Sequence, residues 1–122
     1  MKKKTHRKIL YKKLDDVVRQ IVRKRGSCER CGNPNIQTAH IFSRRNLSVR
    51  WDLDNVLALC LRCHIFWAHK EPILFTEFVK EKMGTKKFNQ LRKKADASKH
   101  WEIEELEDLL EKLKGENNRI YK

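Results

Sequence analysis

Two cysteine pairs carry the first chemistry in this chain. Cys28 and Cys31 are separated by two residues, and so are Cys60 and Cys63. Thiolates at that spacing reach one zinc ion at about 2.3 Å, and two such pairs complete a tetrahedral site. Gly32, just after the first pair, suits a knuckle whose backbone amides point at the sulfurs. One pair alone would be compatible with a redox motif; the second copy argues for metal. A closed four-thiolate site leaves no position for substrate, so its expected role is structural. The other residues with chemical potential follow in order: His40, Asn55, His64 and His69, with Arg44, Arg45 and Arg50 between the first two.

Such groups need elements to hold them. Leu10, Leu14, Val17, Val18 and Ile21 recur at three- and four-residue steps, which predicts an amphipathic helix over residues 5–25. It dominates a basic N-terminal segment, 1–26, and Gly26 is its natural stop. Its polar face carries Lys12, Arg19 and Arg23, and Asp15 and Asp16 are the only acids there. That face is read as phosphate-facing, with a merely solvated face as the plainer alternative.

Residues 27–70 read as knuckle, strand, loop, strand, helix. Ile36–Phe42 forms the first strand, on which His40 faces away from Ala39 and Ile41. Ser43–Asp54 is a polar, basic loop anchored by Trp51; Val56–Leu59 is a second strand, and Arg62–Ala68 turns helical.

Residues 71–115 read as helices. Pro72 opens the first, with Leu74, Phe75, Phe78, Val79 and Met83 as its buried face and Gly84 as its end. Thr85 starts a short one carrying Phe88 and Leu91. Trp101, Ile103, Leu106, Leu110 and Leu113 mark a last helix with an acidic outer face, stopped near Gly115. The tail 116–122 is expected to fray. The whole is a single α+β domain, 1–122, mostly helical.

The net charge of +13 is the strongest bulk signal, and it points to a polyanionic partner, most often nucleic acid. A basic protein without such a partner is the plain alternative. The apolar runs are too short to span a membrane. No apolar stretch follows the basic Met1–Lys4, so no secretory signal is read there. Paired cysteines without such a signal imply thiols in a reducing cytoplasm.

The residues Ala39-His40-Ile41, Asp54-Asn55-Val56 and Leu59-Cys60-Leu61-Arg62-Cys63-His64 resemble the HNH endonucleases of the ββα-metal type. The likeness is to the phage and bacterial subgroup with two zinc knuckles, and more loosely to phage recombination endonucleases of the NinG type. It covers residues 28–69 well and the later helices weakly. It implies a ββα-metal core stapled by a structural zinc on Cys28, Cys31, Cys60 and Cys63. It implies His40 as the general base that activates water, a task suited to imidazole with its ordinary pKa near ~6.5. Asn55 would cross-link the loop and hold His40 in orientation. His64 would ligate one catalytic divalent ion, magnesium or manganese first, nickel or zinc if more nitrogens contribute. The position before the base often supplies a further ligand in this family, and here it is Ala39, which cannot. His69 is the spare ligand, although its five-residue step from His64 misses the four-residue spacing of an ideal helix. The plainer alternative for His40 is a strand histidine satisfied by a backbone carbonyl.

The leading expectation is therefore a metal-dependent DNA endonuclease acting on duplex or branched DNA in recombination or packaging, phage-encoded and working in a bacterial cytoplasm. Arg44, Arg45 and Arg50 would clamp phosphates beside the scissile bond. A homodimer would account for double-strand cleavage. The alternative is a zinc-knuckle DNA-binding or recombination accessory protein without cleavage, which Ala39 favours. An RNA-binding zinc protein ranks last, because the sequence offers no evident aromatic platform.

Overall fold

The computed structural model describes residues 2–120. The N-terminal helix α1 spans Lys2–Arg23 and buries Leu10, Leu14, Val17, Val18, Ile21 and Val22, the expected stripe with Val22 added. It ends in a turn in which Gly26 takes φ 90°, a left-handed value that disfavours any residue with a Cβ. The knuckle follows, and then two antiparallel strands, β1 (Gln37–His40) and β2 (Val56–Leu59), pair with Thr38 opposite Ala58 and His40 opposite Val56. A π-helix, Arg62–Ala68, leads to α2 (Pro72–Met83), α3 (Thr85–Asp96) and α4 (Ile103–Ile120). The class is α+β and mostly helical, as the patterns predict.

The small sheet separates two apolar layers, because strand side chains alternate. Val56 and Ala58 face one layer, where α1 packs on Leu106, Leu110 and Leu113 of α4, with Trp51 between them. Ala39, Leu57 and Leu59 face the other, with Cys28, Cys60, Cys63, Val79 and Phe88. β1 therefore has one side in each layer, and Thr38 and His40 are on the α1 side.

Two expectations change in the C-terminal half. Leu74 is 50% exposed, so the buried face of α2 is narrower than its apolar sequence implies. Gly115 does not stop the last helix, which continues to Ile120. A helical glycine costs about 1 kcal/mol relative to alanine. Docking offsets it: Asn117 is buried, donates from Nδ2 to Gln20 Oε1 at 2.9 Å, and accepts from Lys24 Nζ at 2.7 Å through its carbonyl. The part of the expected frayed tail at Glu116–Ile120 is thus ordered on α1, while Tyr121 and Lys122 lie outside the described residues.

Candidate functional site

Two centres lie on opposite sides of the π-helix. On the inner side, the sulfurs of Cys28, Cys31, Cys60 and Cys63 all fall within 4.8 Å of one another. A tetrahedron of sulfurs each about 2.3 Å from an ion has edges of about 3.8 Å. Cys31 Sγ and Cys60 Sγ are 3.5 Å apart, so the cluster is near that size. Burial raises the pKa of Cys28, but hydrogen bonds from the backbone amides of Cys60, Cys31 and Arg30 overcome it and bring the thiol down to about 6. This is the amide cradle expected of a knuckle. Cys63 behaves oppositely: burial and crowding by the other thiols push it up to about 12. Four thiolates in so small a volume need a cation, and the residues fit a structural metal ion such as zinc. Among the described residues, this is the one group of three or more histidine, cysteine or acidic side chains close enough to hold an ion.

The outer side opens on a cleft of about 800 Å³ between α1, β1, the 43–54 loop and the π-helix. It collects nearly every residue singled out by the sequence. Lys12, Arg19 and Arg23 come from α1, His40 from β1, Arg44 and Arg50 from the loop, and His64 and His69 from the π-helix. None of the acidic side chains of α4 lines it. Arg45 is absent from it too; its residue lines a separate depression beside Ala95–Lys99.

The π-helix resolves the spacing of the two histidines. Its turns close with i→i+5 hydrogen bonds, and such turns are frequent at functional sites. The His69 amide donates to the His64 carbonyl at 3.3 Å. A five-residue step therefore returns to the same face. His64 and His69 meet with ring centroids 4.8 Å apart on the cleft face, while Cys63 and Ala68, also five apart, are both buried on the inner face. His64 Nδ1 lies 2.8 Å from Gln37 Oε1, an acceptor that fixes Nδ1 as the donor and leaves Nε2 for a ligand.

His40 is held from the loop. Its Nε2 lies 3.1 Å from the Arg50 carbonyl, so the neutral ring carries its proton there and Nδ1 is the basic nitrogen. Burial lowers its pKa below the ordinary imidazole value; the Arg50 carbonyl raises it, while the charges of Arg44 and Arg50 add to the lowering. Burial also lowers His64, helped by the charges of His69 and His40.

Asn55 is fully buried and ties the loop at both ends. Its Nδ2 donates to the carbonyls of Phe42 and Val49, each at 3.0 Å, and its Oδ1 accepts from the Phe42 amide at 2.8 Å. Its side-chain hydrogen bonds go to Phe42 and Val49, not to His40. It fixes the loop next to the Arg50 carbonyl that meets His40, so its role is positioning.

Asp15 is the residue that sequence reasoning passed over. It accepts from Arg50 Nε at 3.1 Å, Arg50 Nη2 at 2.6 Å, Trp51 Nε1 at 2.8 Å and Arg44 Nη2 at 3.0 Å. Arg50 is thereby committed to a strut between α1 and the loop, not left free as a phosphate clamp, whereas Arg44 keeps an exposed guanidinium. The only available signal was an adjacent pair of acids within an otherwise basic helix. Thr38 was also missed. It lines the cleft two residues before His40, and its Oγ1 is buried with no hydrogen-bond partner.

The position treated as a missing ligand looks different in three dimensions. Ala39 is 1% exposed and packs in the layer opposite the cleft. A larger side chain there would enter that core instead of reaching the histidines. No known family, curated protein or solved structure matches this chain with significance.

Proposed function

We propose that this chain is a metal-dependent DNA endonuclease of the HNH kind, hydrolysing phosphodiester bonds in the histidine cleft. One observation carries the reading: His40, His64 and His69 converge in a cleft walled by Lys12, Arg19, Arg23, Arg44 and Arg50, which outnumber its two acids, Asp15 and Asp16. Such cationic walls suit a phosphate backbone.

His40 would act as general base. Its Nε2 is occupied by the Arg50 carbonyl, so Nδ1 is the nitrogen that takes the proton from water. Burial keeps the ring neutral at neutral pH, the form a base requires. Arg44 would bind a phosphate oxygen, exchanging its single contact with Asp15 for the substrate. His64 and His69 would hold a divalent ion, with water and phosphate oxygens completing its shell. Two imidazoles favour manganese, nickel or zinc over magnesium. The ion would supply charge neutralisation at the phosphate and the leaving oxygen.

A two-histidine pair is a sparse ligand set, and that favours the second reading, a DNA-binding accessory protein that does not cut. Cleavage of supercoiled plasmid with magnesium, manganese or nickel separates them. Wild type is expected to nick only with added metal. His40→Ala should bind the plasmid equally well and cut at least about 100-fold more slowly. Because burial lowers the His40 pKa, the acid limb of the wild-type rate should lie below pH ~6.5. Salt-dependent binding without cleavage under every metal would establish the accessory reading.

A further inference from the structure

A groove continues from the histidine cleft along the π-helix. Its volume is about 840 Å³, and it shares Arg23, Ile36 and Gln37 with the cleft. Leu61 and Phe66 line it, at 53% and 58% exposed. Large apolar side chains this open are not supporting the core. Arg62 adjoins them in the same groove, and Lys70 Nζ lies 5.4 Å from the Phe66 ring centroid. The opposite wall is Asn33, Pro34 and Asn35, the turn that follows the first knuckle. Cys60 also lines the groove, so the four-cysteine centre makes this wall rigid.

Three features together choose the occupant. An exposed aromatic ring offers a stacking face, which every nucleobase can use. Arginine and lysine around it suit the adjoining backbone phosphates. Continuity with the cleft runs through Gln37, which bonds His64 on one side and lines the groove on the other. A strand with a phosphate at His64 thus leads its neighbouring nucleoside toward Phe66.

We infer that this groove receives an unpaired nucleobase of the strand held in the cleft, stacked on Phe66 and flanked by Leu61. The inference rests on the nuclease reading for the position of the adjoining phosphate. A base within an intact duplex has both faces covered, so the substrate class is DNA with a gap, flap or branch. The sequence offers no evident stacking platform because Phe66 sits within an apolar run, Ile65-Phe66-Trp67-Ala68, that looks uniformly buried. The wide turn instead buries Ala68 and leaves Phe66 outside.

The test uses the full chain loaded with one zinc per molecule at the four-cysteine centre, in buffer with no further divalent metal, so that binding is read without cutting. The probes are a blunt duplex and the same duplex interrupted by a short single-stranded gap containing 2-aminopurine. Wild type should bind the gapped probe about tenfold more tightly and change the 2-aminopurine fluorescence. Phe66→Ala should abolish both the preference and the fluorescence change, with duplex affinity, zinc content and thermal unfolding unaltered. Phe66→Trp should retain the preference. Equal affinity of wild type for both probes, or an undiminished preference in Phe66→Ala, would overturn the inference. So would a wild-type dimer in sedimentation that Phe66→Ala converts to monomer with no change in DNA binding, since a second copy would then own the groove. Failure of the nuclease reading looks different: gap preference that depends on Phe66, with no cleavage under any metal.

Discussion

Cys63 and His64 are neighbours in the chain, yet they face two centres of opposite construction. The cysteine centre is closed, buried on most sides and assembled from two local pairs. The histidine cleft is open and takes its walls from α1, β1, a loop and the π-helix. The first centre needs only that two knuckles meet. The second needs α1 seated on the sheet, the loop pinned by Asn55 and Asp15, and a helix wound to bring His64 and His69 together. Rigidity is supplied by one centre and used by the other, through a helix that both share.

Removing the metal is the most severe way to break this comparison. Structural zinc sites contribute on the order of 10 kcal/mol to folding. A strong chelator, or Cys63→Ser, should abolish cooperative unfolding of the 27–70 core and disperse the walls of the cleft. Helical signal from α1 and α4 should persist in part, because their contacts do not involve the cysteines. Circular dichroism with zinc quantification checks this; a chelated protein that unfolds like the wild type would sink the structural role.

Asn55→Ala probes the cleft's own support. It removes three side-chain hydrogen bonds at a fully buried position. The expected cost is about 3 kcal/mol, read as a lower denaturation midpoint with zinc still bound. An unchanged midpoint would mean that the loop is held by other contacts.

Asp15→Asn sharpens the same point and carries a pH signature. Burial raises the Asp15 pKa, but hydrogen bonds from Arg50 and Trp51 and the charges of Arg50 and Arg44 leave it below the ordinary carboxylate range. Its stabilisation is therefore fully present above the unfolded value of about 3.9 and is lost as pH falls through the lower folded value. At neutral pH the variant should be less stable by about 2 kcal/mol, and the gap should close in strong acid. A gap independent of pH would show that packing, not charge, is the cause.

The smallest effects separate two adjacent arginines. On the proposed nuclease reading, Arg44→Ala should weaken DNA binding and reduce its salt dependence, because Arg44 lines the cleft. Arg45→Ala should leave DNA binding and cleavage within about twofold, since surface changes away from a site are usually worth no more than about 0.5 kcal/mol. Salt-titrated binding of both variants decides it, and equal losses would extend the phosphate surface beyond the cleft.

How much was legible follows from the reach of each interaction. The cysteine pairs, the stripe of α1, both strands and the alternation that turns His40 away from Ala39 are local patterns, and the structure agrees with all of them. The end of α4 was not legible, because Asn117 finds its partners on α1 and in the turn that follows it, across the whole chain. The exposure of Leu74 and Phe66 was hidden for a related reason: apolar composition says what is able to be buried, not which neighbour arrives to cover it.

Sequence alone determined the cysteine centre, the order of the histidines and the basic character of α1, since each rests on residue type and short spacing. Tertiary structure alone decided that His64 and His69 share a face, that Asp15 claims Arg50, and that Ala39 belongs to the opposite core. The physical reason is common to the three. Helical pitch, ion-pair choice and strand facing depend on which surfaces pack together, and packing joins residues far apart in the chain.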